Sequence, residues 1–342
     1  MEIHRHPMIH PSAWTGAEMR RTREWIVEWP RNARDELAEA AAGIHRRGAK
    51  APHFDTSGFP LPTLHVKLQE VAREVATGRG FVLMRGLPIG DFDDQSLRNI
   101  LWGLGCHWGR PVTQNVAGDP IAEITDRGLD ASKVGVKPSL TNAEQRPHSD
   151  PSDVVALLCI QGAKAGGVSR IASSIAIYNR LLAERPHELE CLYRGFHHDL
   201  RGDETPEAPF GCTPMPIPVY RWYRGVLSCV FNASSALQAS QRMGRPLPPH
   251  EWALLERIVE LAHSDELCLD MTFEPGDIQL LSNFTVVHWR TAFEDWPERE
   301  RKRRLLRIWL NRPCERPVDP EMHRGYITGS NAGIPILEGA RI

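Results

Sequence analysis

"RPHSDPSDVVALLCIQ", residues 146–161, sets a histidine and an aspartate two positions apart just before an unbroken apolar run. An aliphatic run of that length reads as a buried strand, and a His-x-Asp turn at its start would hold two metal donors on a rigid wall. The pair alone decides little, because the chain carries four such triplets: His53/Asp55, His148/Asp150, His197/Asp199 and His263/Asp265. His263/Asp265 closes a strongly helical pattern, where an imidazole is a favourable partner for the helix C-terminal dipole. His53/Asp55 lies in "APHFDTSGFP" and His197/Asp199 in "FHHDLRGDE", and both read as solvated turns. Only His148/Asp150 is coupled to a strand-like run.

Working outward, 342 residues with 41% hydrophobic and 25% charged side chains describe a globular chain able to bury a full core around a deep site. A formal charge of -2 supplies no global field to hold a polyanion, which argues against nucleic acid or an anionic membrane surface as partner. The expected partner is a small molecule, and assembly into a homo-oligomer is left open. Seven cysteines without a Cys-x-x-Cys suit free thiols in a reducing compartment. The opening "MEIHRHPMIHPSAW" lacks an apolar leader, and no run approaches the ~18 residues that span a bilayer. The expected location is cytoplasmic.

The first part, about residues 1–110, mixes helical and extended patterns. "NARDELAEAAAGIHRRG" and "LPTLHVKLQEVAREVATGRG" are periodic at three to four and closed by glycine, and "GFVLMRGLP" reads as a buried strand. From Pro111 the chain becomes a series of short β-like runs separated by Gly and Pro, from "EIT" to "RLLRIWL". Helical interruptions are expected only at "SIAIYNRLLAERPHELECLYRGF" and "LPPHEWALLERIVELAHSDE". The fold class is therefore mainly β with flanking helices, a sandwich or barrel in one domain over 1–342, with a tail at 313–342. The alternative is a two-domain protein split near Pro111.

A facial metal site of two histidines and one carboxylate needs a second, distant imidazole. The candidate is His288 in "GDIQLLSNFTVVHWRTAFEDWPERERKRRLLRIWL", residues 276–310. The end of that stretch offers Arg303, Arg304 and Arg307. Strand alternation puts Arg303, Leu305 and Arg307 on one face and Arg304 with Leu306 on the other. An arginine fork suits a carboxylate. Read in isolation the same run would be a solvated basic turn, its field blunted by the acids of "FEDWPERERKRR".

"PHSDPSDVVALLCIQGAKAGGVSRIAS", followed by the His288 stretch, resembles the TauD/TfdA-type Fe(II)/2-oxoglutarate-dependent dioxygenases over about residues 80–312. That resemblance implies a double-stranded β-helix (jelly-roll) core over those residues, with His148, Asp150 and His288 as iron ligands. It implies that Arg303 holds the distal carboxylate of 2-oxoglutarate, with Arg304 as the alternative, and that Ser169 of "GGVS" adds its hydroxyl. Arg307, four residues on, would reach the substrate pocket. Arg110, Gln114 and Asn115 of "GRPVTQN" stand where family members line that pocket, and equally suit a turn; Asp153 either faces substrate or bonds to its own turn. The implied cofactor is Fe(II), with 2-oxoglutarate and dioxygen as co-substrates. The implied reaction is hydroxylation of an unactivated C–H bond in a small, anionic metabolite or natural-product intermediate, with release of succinate and CO2. The carboxylate of Asp150 argues against halogenation, since related halogenases lack it. Desaturation or cyclisation needs the same ligands; the remaining alternatives are a non-catalytic jelly-roll binding protein and a nucleic-acid- or protein-modifying relative, against which the near-neutral charge argues.

Overall fold

The computed structural model describes residues 2–131, 133, 136–200, 208, 211–312, 315–319 and 322, so most of the expected 313–342 tail lies outside the described residues. Along the chain the strands are β1 (Ile26–Glu28), β2 (Phe81–Arg85), β3 (Arg110–Val112), β4 (Ala122–Ile124), β5 (Val154–Gln161), β6 (Ala165–Gly166) and β7 (Ser169–Ser173). They continue as β8 (Tyr220–Tyr223), β9 (Val226–Cys229), β10 (Cys268–Met271), β11 (Ile278–Ser282), β12 (Val286–Arg290), β13 (Phe293–Glu294) and β14 (Arg304–Asn311). The larger sheet runs β1-β2-β11-β5-β14-β3, with β4 also paired to β14, and only β1–β2 is parallel. The smaller sheet is antiparallel, in the order β10-β7-β12.

Period-two alternation sorts these residues into layers. Val154, Ala156 and Leu158 of β5 and Leu306, Ile308 and Leu310 of β14 point outward, into a core shared with the helices Ala33–Arg46, Leu64–Thr77 and Asp94–Trp108. Their neighbours Val155 and Trp309 point inward and meet Ile171 and Val286 of the smaller sheet. The outer face of that sheet, Ala172, Val287 and Trp289, is covered by the helices Ser174–Glu184 and Pro249–His263. Each fully buried aliphatic side chain contributes about 1.5–3 kcal/mol. The result is two facing sheets clad in helices, the jelly roll expected from the sequence.

Three helices depart from expectation. Asp94–Trp108 went unread because Leu97, Ile100, Leu101, Leu104 and Trp108 are all buried and leave no clean polar stripe. Asp93 caps it through the Ser96 amide at 2.7 Å. Ala233–Arg242 buries mainly alanine and serine, which carry little hydrophobic pattern, and begins at Asn232, whose side chain accepts from the Ser235 amide. The long helix expected at 174–196 is two, Ser174–Glu184 and Leu189–Arg194, broken around Pro186. Among the described residues no helix is long and apolar enough to cross a membrane.

Candidate active site

On β12, alternation sends Val287 and Trp289 outward and His288 and Arg290 into the space between the sheets. His148 lies directly opposite His288, and the two exchange backbone hydrogen bonds of 3.1 and 2.9 Å. Asp150 follows in the turn before β5, where the Asn283 side chain accepts from its amide at 2.9 Å and donates to the Ser152 carbonyl at 2.9 Å. One ligand atom from each of His148, Asp150 and His288 falls within a sphere of 4.8 Å mutual separation. The Asp150 oxygens stand 3.9 Å from His148 Nε2 and 3.7 Å from His288 Nε2, longer than hydrogen bonds, so the donors converge without closing on one another.

This set fits a divalent iron. His148 Nδ1–H donates to the Arg146 carbonyl at 2.9 Å, which leaves the Nε2 lone pair for a metal. Burial, with His148 beside it, pushes the His288 imidazole down to about 3, so it stays neutral and able to ligate. Burial raises the Asp150 carboxyl, but the Arg307 charge, with the two histidines and the Trp309 indole, brings it below its ordinary value. Two imidazoles and a carboxylate without thiolate suit Fe(II).

The triad opens on a cavity of about 370 Å³. Arg303, Leu305, Arg307 and Trp309 of one strand face line it. Trp309 Nε1–H donates to Asp150 Oδ2 at 3.0 Å. Arg307 Nη1 lies 3.4 and 3.5 Å from the Asp150 oxygens, while its Nε donates to Gln114 Oε1 at 2.8 Å. Gln114 in turn donates to the carbonyls of Arg307 and Pro120 at 2.9 and 3.0 Å, which locks that arginine from both ends.

Arg303 is 5% exposed, and its guanidinium makes no hydrogen bond or ion pair among the described residues. Burial pushes it down to about 10, still charged at neutral pH. A buried cation on a cavity wall with no hydrogen-bonded anion is a seat for one. The double glycine of "GGVS" makes room for it: Gly167 has φ +68°, and a Cβ there would lie 3.0 Å from Arg303 Nε. Gly166 has φ +72°, and its Cβ would sit 2.3 Å from the Ala292 carbonyl oxygen. Ser169 lines the same cavity, with Oγ 3.2 Å from Gln279 Oε1 and 3.1 Å from its Nε2.

Other expected residues lie elsewhere. Arg304 points to the opposite face, where it pairs with Asp94 and Glu123, so it is not on the cavity wall. Arg110 is exposed at the start of β3 and Asn115 closes a turn, accepting from the amides of Ala117 and Asp119 at 3.1 Å; neither lines the cavity. Asp153 is buried behind the wall, its carboxylate accepting from the Arg312 amide at 2.7 Å. The solvated-turn reading of His197/Asp199 is corrected too. Asp199 is buried on the cavity wall and pairs with Arg242 at 2.7 Å, because the helix Ala233–Arg242 packs across it. Sequence reasoning missed Trp309 and Asn283. For Trp309 a signal existed, since it continues the inward parity of Arg303, Leu305 and Arg307.

The family described as taurine catabolism dioxygenase TauD, TfdA family, matches residues 47–309. FR-33289 synthase of Streptomyces rubellomurinus is 31% identical over 320 residues, covering 91% of this chain and 92% of that protein. A taurine hydroxylase-like protein of Stachybotrys chartarum is 27% identical over 308 residues, covering 86% and 77%. Among solved structures, asparagine oxygenase with Fe(II), 2S,3S-3-hydroxyasparagine and succinate shares the fold, with TM-score 0.63, 16% identity and coverage of 84% and 94%. The non-heme iron oxygenase OrfP with Fe and alpha-ketoglutaric acid does so at TM-score 0.56, 13% identity and the same coverages.

Proposed function

The chain belongs to the TauD/TfdA dioxygenase family, and on that premise we propose that it hydroxylates an unactivated C–H bond of a small anionic metabolite or natural-product intermediate. It is a 2-oxoglutarate-dependent non-haem iron dioxygenase, with Fe(II) as cofactor and 2-oxoglutarate and dioxygen as co-substrates. The observation that carries the substrate reading is the pair of inward guanidiniums on β14 and its approach: Arg303 without an ion-pair partner among the described residues, and Arg307 four residues on, against Asp150. Four residues of strand span about 13 Å, enough for one cation to hold the co-substrate tail and the other to stand beside the metal.

His148, Asp150 and His288 would hold the iron, which when bound supplies the redox chemistry with dioxygen and 2-oxoglutarate. Arg303 binds the distal carboxylate of 2-oxoglutarate through two N–H donors, and Ser169 adds a hydroxyl. Trp309 and Arg307 steady the Asp150 carboxylate, so a single orientation faces the metal. Arg307 Nη2 makes no hydrogen bond among the described residues and is available to a substrate anion. Leu157, Leu305, Ile124 and Phe273 make part of the wall apolar, which strengthens each charge contact inside. The hydroxylated amino acids held by asparagine oxygenase and OrfP support the hydroxylation reading by analogy of fold.

The test is a metabolite screen that reads succinate release with Fe(II), 2-oxoglutarate and oxygen supplied. Carboxylates and sulfonates are expected to stimulate release and to gain one oxygen atom. Stimulation by neutral compounds alone would overturn the anionic assignment.

A further inference from the structure

Arg290 lies two positions beyond His288 on the inward face of β12 and is 5% exposed. Its Nη2 donates to two carbonyls of one passing segment, Thr141 at 3.1 Å and Ala143 at 2.6 Å. The backbone completes the attachment: the Gln145 amide donates to the Arg290 carbonyl at 2.9 Å, and the Phe293 amide to the Asn142 carbonyl at 3.1 Å. The guanidinium lies over the Phe293 ring at 4.4 Å, and the same ring carries Arg303 at 5.3 Å. Nε and Nη1 are buried without a hydrogen-bond partner among the described residues, so the contacts that hold the cation are one aromatic face and those two carbonyls, with the Asp126, Asp295 and Glu144 charges acting from further off. A buried cation with so few partners is costly unless its placement does something.

The fastened segment forms part of the cavity. Lys137, Pro138, Ser139, Glu144, Gln145 and Arg146 all line it. Its far end is the Arg146 carbonyl that accepts from His148 Nδ1, and the Arg146 side chain is chelated by Glu256 at 2.6 and 2.8 Å. One strap thus walls the chamber and orients a metal-binding imidazole. Arg290 is the side chain that ties its middle to the strand bearing the other imidazole.

We propose that Arg290 is a positioning residue, a latch that holds the 137–146 strap against β12, closing one side of the cavity and fixing the carbonyl that orients His148. The functional consequence rests on the oxygenase reading; the latch itself does not. Hydrogen exchange by the full-length protein, with Fe(II) and 2-oxoglutarate under nitrogen, tests it in Arg290→Ala and Arg290→Lys. Arg290→Ala is expected to speed exchange of the 137–146 amides at least tenfold, while amides of β5 and β11 change less than twofold. Arg290→Lys, which keeps the charge and multiple donors, is expected to recover part of that protection, and added guanidinium ion to recover part of it in Arg290→Ala. The visible charge-transfer band of the Fe(II)–2-oxoglutarate complex is expected to shift in Arg290→Ala and to return with guanidinium. Unchanged exchange in 137–146 would overturn the proposal, as would equal acceleration throughout the chain, which would make Arg290 a support of the core only. Failure of the oxygenase reading would show separately, as absence of the band in the unmodified protein, and would leave the exchange result standing.

Discussion

The Trp309 indole donates to Asp150 Oδ2 at 3.0 Å, on the carboxylate that the two histidines flank. Removing that donor while keeping an aromatic ring should loosen the carboxylate without emptying the core. Trp309→Phe is expected to weaken Fe(II) binding or turnover by about tenfold to a hundredfold, the usual range for partners of metal ligands. His288→Ala should abolish both. Anaerobic Fe(II) titration of the two variants checks the ordering.

Arg303 and Arg304 are adjacent in sequence and opposite in direction, so their substitutions should separate cleanly. Arg303→Ala is expected to raise the 2-oxoglutarate requirement about ten- to a hundredfold, from loss of a charge-assisted contact of about 1.5–3 kcal/mol. Arg304→Ala removes half-buried pairs with Asp94 and Glu123 outside the cavity and should change it less than about twofold. Succinate formation against 2-oxoglutarate concentration distinguishes them.

Because Arg307 leans on Asp150, reversing its charge would disturb the metal as well as the pocket. Arg307→Gln is the better probe. Turnover of an anionic substrate is expected to fall at least tenfold, while substrate-independent decarboxylation of 2-oxoglutarate persists. Parallel loss of both activities would assign Arg307 to the metal or co-substrate instead.

Gly167 has a backbone that side chains adopt at a cost of about 1–2 kcal/mol, and a Cβ there would lie 3.0 Å from Arg303 Nε. Gly167→Ala is expected to lower stability by that amount and also raise the 2-oxoglutarate requirement. Denaturant unfolding and the same succinate titration read the two effects.

Asp93 caps the helix that backs β14, away from the chamber. Asp93→Ala should lower the denaturant midpoint through loss of the cap, with 2-oxoglutarate dependence unchanged.

Much of the site could be read from the chain because parity does the sorting. Once "RKRRLLRIWL" is a strand, Arg303 and Arg307 must share a face and Arg304 must leave it, and the structure has them so. His148, Asp150 and His288 depended on choosing one of four triplets by the run behind it. What stayed hidden depended on contacts between distant segments. Asp199 looks solvated until the helix from Ala233 is laid across it, and Gln114 gains its meaning only from the carbonyls of Pro120 and Arg307. Asp94–Trp108 is buried on most sides, so its periodicity fades where its packing is best.

The alternation of β14 has a consequence for how this chain can change length. Odd positions from Leu305 to Trp309 face the chamber, while Leu306, Ile308 and Leu310 serve the outer core. Inserting or deleting one residue within the strand would exchange the two roles downstream of it. Apolar side chains would enter the chamber, and Arg307 and Trp309 would be driven among aliphatic neighbours. In the turn between β3 and β4, a change of length between Asn115 and Asp119 leaves that parity intact, provided Gln114 and Pro120 on either side, which hold Arg307, are kept. Libraries that vary length are therefore better placed in that turn, with β14 kept to substitutions alone.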